Sequence, residues 1–474
     1  MSKIIGREKE MQELLRFAES DEAELMVVYG RRRVGKTFLI RETFKNNFAF
    51  YHTGLSPKDI PEGNLLRAQL HHFNLSLQFY WPEYEGAAPG SWLDAFAVLR
   101  KLLSGMPKDS KQVIFIDELP WMATPRSGFL TAFEAFWNGW ASGQDNIYLI
   151  VCGSATSWII DNILSDYGGL YDRTSHCIHL EPFTLAECEK YEEERGSMRS
   201  RDEILRGYMI LGGVPYYWKQ LAPALSLPQN IDNLFFSPGG ILRKEFNALY
   251  ASVFKKHQLY VRMVKILSSK RGGMTRSEIL KNLGMQSGGN ISKVLDDLET
   301  SGFIFSYKPL GSSEDIYMLT DFYTLFYYKF VEGNKNPDPM YWSNAQNTPS
   351  MNSWQGLTFE IVCLKHSMQI RRALQFAAVQ SNEILYRSAT AQIDLLFDRA
   401  DKTVTLCEMK YYQEPYQLST SDDEKLRGRI AEIRQYFHLS TSYKVAYVAP
   451  YGIVKGKNSS LVSSQVKMED LFKE

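Results

Sequence analysis

The segment that most restricts this chain is GRRRVGKT, Gly30 to Thr37, which follows the apolar run Leu25 to Tyr29 and opens a helical pattern continuing through Phe44. It fits the spacing GxxxxGK[ST]. In such a loop the glycines let backbone N–H groups curl around a phosphate, the lysine reaches the outer phosphates and the hydroxyl faces Mg2+. Gly30, Arg31, Arg32, Arg33, Val34, Gly35, Lys36, Thr37 and Phe38 are therefore the candidate nucleotide-contacting residues, with ATP and Mg2+ as the implied ligands. The alternative for the same letters is a glycine turn carrying solvated arginines.

A second element arrives about 80 residues later, where VIFIDE delivers Asp117 and Glu118 to the end of an apolar strand. Open α/β sheets bind ligands at that edge. Asp117 is placed at the metal and Glu118 as the group that polarises an attacking water. A third apolar strand, Ile147 to Val151, runs into CGSATSW. Ser154 there either senses the outer phosphate or caps a helix, as serine commonly does. Arg173 in LYDRT is a candidate arginine finger, acting in cis or from a neighbouring copy in a homo-oligomer; an ordinary surface ion pair is the other reading.

Three continuous apolar strands separated by helical patterns predict a parallel sheet over residues 1–182. Helical periodicity dominates 183–254, a helical lid. Residues 255–331 read as three helices and a hairpin, Phe303 to Tyr307 with Ile316 to Leu319, which is a winged helix-turn-helix. Thr275 and Glu278 fit a capping box at its second helix. The third helix, Asn290 to Gly302, sets Lys293 against Asp296, Asp297 and Glu299, a balance that disfavours phosphate-facing DNA readout and favours docking. Residues 332–350, rich in Asn, Pro and Ser, read as a linker, and 351–474 as a separate α/β domain.

The 474 residues carry 54 Lys plus Arg and 54 Asp plus Glu, so no chain-wide field draws the protein to nucleic acid or membrane. The five cysteines form no CxxC pair, and no signal peptide or membrane span is evident, so a cytoplasmic protein is expected. The aromatic run Phe129 to Trp140 reads as core rather than as a base-stacking platform.

IIGRE, GRRRVGKT, FIDELPWM, CGSATSW, LYDRT and LGGVPYYW together resemble the archaeal and bacterial AAA+-related ATPases of the STAND-like group. That resemblance implies an AAA+-like P-loop sheet, with Gly6 and Arg7 near the adenine and the nucleotide acting as a switch or energy source. In the C-terminal region, Glu360 in GLTFE, Asp394 in AQIDLLFD, and Glu408 and Lys410 in TVTLCEMK follow one another in the order of the PD-(D/E)xK nuclease superfamily. Strand alternation puts Glu408 and Lys410 on one face. The resemblance implies a restriction-endonuclease-like α/β domain in which Glu360, Asp394 and Glu408 hold Mg2+ and Lys410 orients water. It departs at Gln392, where the superfamily often has an acid. The expected function is an ATPase whose nucleotide state controls a nuclease-like domain acting on DNA or RNA. Its alternative is a switch or scaffold whose C-terminal domain only binds, with Glu408 and Lys410 as a cross-strand ion pair on a solvated face.

Overall fold

The computed structural model describes residues 4–57, 60–165, 170, 173–254, 257–286, 289–336, 338–346, 348–388 and 391–474. These divide into two compact units, 1–182 and 183–474.

The first unit is built on five parallel strands, β1 Glu24–Tyr29, β2 Phe50–Thr53, β3 Gln112–Asp117, β4 Ile147–Gly153 and β5 His176–His179, in the order β2-β3-β4-β1-β5. β3 and β4 are buried along their whole length and β1 up to Tyr29. Their unbroken apolar composition follows from having both faces covered. β2 and β5 carry the sheet's edges and escaped the sequence reading. FYHT and HCIH are short and contain histidines, so neither shows the apolar run of a central strand. Phe129, Phe133, Phe136 and Trp137 pack with Trp92 and Phe96 on one face of the sheet, so the aromatic run is core as expected.

In the second unit one continuous apolar cluster runs from Phe183 to Phe472. It begins with the helices Leu185–Glu194, Arg201–Leu211 and Ile241–Val253. The helices His257–Ser268, Arg276–Leu283 and Gly289–Thr300 follow, with β6 Met274–Thr275, β7 Ile304–Tyr307 and β8 Ile316–Leu319 in the antiparallel order β6-β8-β7. The capping box forms: the Thr275 hydroxyl accepts from the Glu278 N–H and the Glu278 carboxylate from the Thr275 N–H.

Two of the three acids on the third helix turn out to be committed internally. Asp297 accepts from the Tyr260 hydroxyl at 2.6 Å, and Glu299 from the Ser306 N–H and hydroxyl at 2.8 and 2.6 Å. Its exposed charges are Lys293 and Asp296, which cancel, so the charge argument drawn from the sequence is weaker than it looked.

The segment expected to be a linker is packed. Within it the short helix Tyr341–Asn344 buries Trp342 against Phe326 and Phe330. The buried Asp232 carboxylate accepts from the Trp342 and Ser343 N–H groups at 2.7 and 3.1 Å. Asn and Pro content marked irregular backbone correctly, but one tryptophan with a carboxylate at the helix start ties that backbone down.

The chain ends in a five-stranded mixed sheet. Three antiparallel strands, β9 Ser381–Arg387, β10 Gln392–Arg399 and β11 Thr403–Met409, are extended by two strands parallel to β11, β13 Ser442–Val448 and β15 Val462–Val466. A small pair, β12 Tyr416–Gln417 and β14 Ile453–Val454, lies outside it. The helix Pro349–Lys365 packs on the face of Leu395, Cys407 and Met409, and the helix Thr420–Ile433 on the face of Leu396, Leu406, Val445 and Tyr447.

His366, buried in this unit, supplies a pH prediction. Its Nε2 accepts from the Leu185 N–H at 3.0 Å, so the ring is neutral and Nδ1 donates to the Val362 carbonyl at 2.8 Å. Burial is the main cause that lowers its pKa from 6.5 to about 4. Above pH 6.5 the ring is neutral folded or unfolded and contributes nothing pH-dependent. Below it the unfolded chain binds the proton first, so stability falls, by about 3 kcal/mol once pH 4 is reached. Urea unfolding of the wild type and of His366→Gln between pH 7.5 and 4 checks this, the variant showing the shallower loss.

Candidate functional site

Because β1, β3 and β4 are parallel and in register, Tyr29, Asp117 and Gly153 end at one edge of the first sheet, and the loop Gly30–Gly35 opens there. Gly30 has φ +141°, and a Cβ on it would lie 2.3 Å from the Leu180 carbonyl oxygen. Arg33 and Gly35 are also left-handed, with φ 74° and 97°, and Gly35 caps the helix Lys36–Thr43. The backbone thus turns back over the helix start, where N–H groups and the helix dipole favour a phosphate. Val34 is buried, Phe38 is exposed, and Arg31 is buried rather than solvated, which removes the plain-turn alternative for that residue.

Lys36 is almost fully buried, and its ammonium donates to the Gly30 and Arg31 carbonyls at 2.9 and 3.0 Å and to the Ser154 hydroxyl at 3.3 Å. The Ser154 hydroxyl in turn donates to Glu118 Oε1 at 2.8 Å, and its N–H reaches Oε2 at 3.3 Å. Ser154 therefore bridges lysine and glutamate. The cap of the next helix, Thr156–Ile159, falls to Ala155 without a side-chain bond, so the capping alternative for Ser154 is set aside. Gly153 lets this happen, since a Cβ there would meet the Pro120 ring at 2.7 Å. Glu118 itself sits at φ 50°, a conformation costly for a non-glycine residue and found where structure is imposed for function.

Thr37 Oγ1 donates to Asp117 Oδ2 at 2.8 Å, while Asp117 Oδ1 accepts from the Glu118 N–H and the Cys152 thiol. A hydroxyl beside a carboxylate is the hard-oxygen pair that Mg2+ takes together with phosphate and water, so these residues fit that ion. Burial, then Asp117, raises the Glu118 pKa, against Lys36 and Ser154. Burial lowers that of Lys36, with the acids opposing. Lys36→Ala is expected to weaken ATP binding by about 100-fold, the scale for truncating one partner of a buried, hydrogen-bonded charge pair. Titration with a fluorescent ATP analogue measures it.

Arg173 is exposed, and among the described residues no hydrogen bond or ion pair joins it to Lys36, Asp117 or Glu118. Tyr171 and Asp172 of its motif lie outside the described residues. Gly6 is left-handed, and the buried Arg7 donates to the Glu181 carbonyl at 2.5 Å.

In the second unit the strand pairing of β9 with β10 shifts between Ile393 and Leu396. Such a bulge re-aims a side chain. Asp394 Oδ2 accepts from the Met409 N–H at 2.9 Å, the amide between Glu408 and Lys410. Glu408 is buried, ion-paired to Arg429 and lies 3.8 Å from the Lys410 ammonium. The solvated-face alternative fails because β11 is buried throughout. Burial, then Asp394, pushes the Glu408 pKa up to about 7 against Arg429 and Lys410. The same two causes push Glu360 up to about 7 against Arg271, with which it is ion-paired.

Among the described residues no three His, Cys, Asp or Glu side chains are grouped closely enough to hold a metal ion, while Asp394 lies near enough to both Glu360 and Glu408 to raise their pKa values. Glu360 rides on the helix packed against the Cys407 and Met409 face, whereas alternation turns Glu408 to the other face, toward Arg429 on the helix Thr420–Ile433. Arg271, from the neighbouring three-helix region, and Arg429 were missed by the sequence reading, because neither sits at a spacing that links it to the acids.

Residues 4–221 match the family described as an ATPase domain predominantly from Archaea. An uncharacterized protein of Methanocaldococcus jannaschii, MJECL04, is 23% identical over 415 residues, covering 86% of this chain and 87% of that one. Among solved structures, the Walker-type ATPase PABY2304 of Pyrococcus abyssi aligns at 16% identity and TM-score 0.45, covering 69% of this chain and 96% of that one. Cdc6p from Pyrobaculum aerophilum aligns at 14% identity and TM-score 0.36, covering 69% and 94%. No helix among the described residues is long and apolar enough to cross a membrane. The family match spans the loop Gly30–Thr37, the pair Asp117 and Glu118, and Ser154, so residues 4–221 form a P-loop ATPase domain and the protein is an ATPase.

Proposed function

We propose that ATP turnover in the first unit controls a C-terminal region that acts on nucleic-acid phosphodiesters. Lys36 holds the outer phosphates, and Thr37 and Asp117 hold Mg2+, which when bound neutralises phosphate charge. Glu118, oriented by Ser154, takes the proton of the attacking water as the bond between the β- and γ-phosphates breaks. Gly6 and Arg7 contact the adenine. Arg173, exposed on its own copy, serves the nucleotide of a neighbouring copy in a homo-oligomer. Residues 255–331, read as a winged helix, dock rather than read DNA, a reading supported by Leu310 of its hairpin turn packing against the apolar cluster of the final sheet that includes Tyr386 and Ile393.

The observation that carries the C-terminal reading is the bond from the Met409 N–H to Asp394, which sets that carboxylate beside Glu408 and Lys410. Helix, three antiparallel strands, helix and parallel strand, in that order, support the nuclease-like reading. The acids present do not form a ready metal cage, so no step is routed through a metal at this site. The ion pairs of Glu360 and Glu408 with Arg271 and Arg429 favour a second reading, a region that binds without cutting. Supercoiled plasmid and single-stranded oligonucleotides incubated with Mg2+ or Mn2+, with and without ATP, separate the two. Cleavage lost in Glu408→Ala and altered in Lys36→Ala is expected. Intact ATP hydrolysis with no cleavage establishes the binding-only reading.

A further inference from the structure

An open cleft of about 410 Å³ lies next to Glu360, and its lining includes Arg271, Lys410 and Tyr412. Arg271 comes from the loop after the helix His257–Ser268, and Lys410 and Tyr412 from the segment that follows β11. Arg271 is half exposed and uses one nitrogen on Glu360, which leaves other donors of its guanidinium facing solvent. The Lys410 side chain is a third exposed.

Tyr412 is 50% exposed, so one face of its ring is open to the cleft. It is also held in place. Its ring stacks on Tyr416 at 4.7 Å and 24°, and Tyr416 stacks on the buried Tyr447 at 6.2 Å and 20°. The Tyr416 hydroxyl donates to Asp422 at 2.8 Å, and Asp422 is itself fixed by the Ser419 N–H and hydroxyl. The outermost ring of this ladder is thus pre-positioned at the cleft, and the ordering entropy that a free tyrosine would lose on binding is already spent by folding.

Two cations and a rigid, half-exposed ring on one cleft are what a strand with unpaired bases requires: phosphate against the cations, a base face on the aromatic. In a duplex both faces of each base are already taken by its neighbours, so the ring has nothing to stack on. We propose that this cleft binds single-stranded nucleic acid, with one base on Tyr412 and the adjoining phosphate against Arg271 and Lys410. The site is composite, since Arg271 belongs to a different segment of the unit from the other two.

This inference rests on the nucleic-acid reading above but concerns binding, which is measured apart from cleavage. The full chain is titrated, without divalent metal, into fluorescein-labelled dT12, U12 and a blunt 12-base-pair DNA duplex, lengths of about 12 nucleotides spanning known single-strand site sizes. Anisotropy is expected to show the single strands bound at least about 10-fold tighter than the duplex. Tyr412→Ala should weaken them about 10- to 100-fold, while Tyr412→Phe, which keeps the ring, restores binding. Arg271→Ala should lower the salt slope by about one. The ratio of dT12 to U12 affinity tells DNA from RNA. Equal binding of duplex and single strand, no binding at all, or indifference to Tyr412→Ala overturns the inference. Glu408-dependent cleavage that ignores Tyr412 would overturn it while leaving the nuclease reading intact. Tyr412-dependent binding without cleavage would do the reverse. The far-ultraviolet circular dichroism spectrum and the melting curve of each variant serve as the folding control.

Discussion

Glu118→Gln is expected to hold ATP nearly as tightly as the wild type and to hydrolyse it about 10²- to 10⁴-fold more slowly, the range for removing a positioned general base. Glutamine keeps the shape and accepts the Ser154 hydroxyl as Glu118 Oε1 does at 2.8 Å, so the Lys36–Ser154–118 chain survives while the proton acceptor is lost. The pH profile is the sharper test. Burial and Asp117 raise the Glu118 pKa, so the wild-type rate should decline on acidification at pH values above those at which an ordinary glutamate protonates. A neutral amide has no such titration, and the residual rate of the variant should be flat over that range. Single-turnover hydrolysis between pH 5 and 8.5 reads both effects. Unchanged turnover in the variant removes Glu118 from the base role.

Gly30→Ala should damage the protein more broadly than Lys36→Ala. The alanine Cβ would stand 2.3 Å from the Leu180 carbonyl oxygen, a backbone atom that cannot swing aside, and φ +141° lies where side chains are rarely tolerated. The loop must move away from the segment after β5, and with it the two carbonyls that hold the Lys36 ammonium. Loss of nucleotide binding is expected together with at least about 2 kcal/mol of stability, since overpacking and backbone strain add. Lys36→Ala should lose nucleotide binding while its melting temperature moves little. Paired melting curves with and without ATP distinguish the two: ATP should raise the Tm of the wild type and of neither variant, and only Gly30→Ala should start lower. A Gly30→Ala protein that melts and binds as the wild type does would show that the Leu180 contact is relaxed in solution.

How much was legible in the chain differs between the two sites. Around the P-loop, local spacing was enough. A strand must end at Tyr29 for the loop to form, and an apolar run must end at Asp117 for the carboxylate to reach the same edge, so the periodicity marked the positions that the structure joins through the bond from Thr37 to Asp117. Cys152, which donates to Asp117, gave no signal, because a buried thiol on a central strand has the same pattern as any core residue. At the C-terminal site the motif residues were visible but their grouping was not. Alternation along β11 could be read. The bulge in β10 that aims Asp394 at the Met409 amide could not, because a bulge adds a residue without changing which letters are apolar.

The sequence by itself determined which residues have the chemistry of a nucleotide site and where the central strands carrying them must begin and end, because hydrophobic period and glycine placement are local properties of the backbone. Only the tertiary structure decided which charges meet. Arg271 and Arg429 reach Glu360 and Glu408 across separations of 89 and about 20 residues, and Trp342 finds Asp232 over 110. Those encounters follow from which helix covers which face of a sheet. That choice is made by the summed burial of the whole unit, and no short window of sequence contains it.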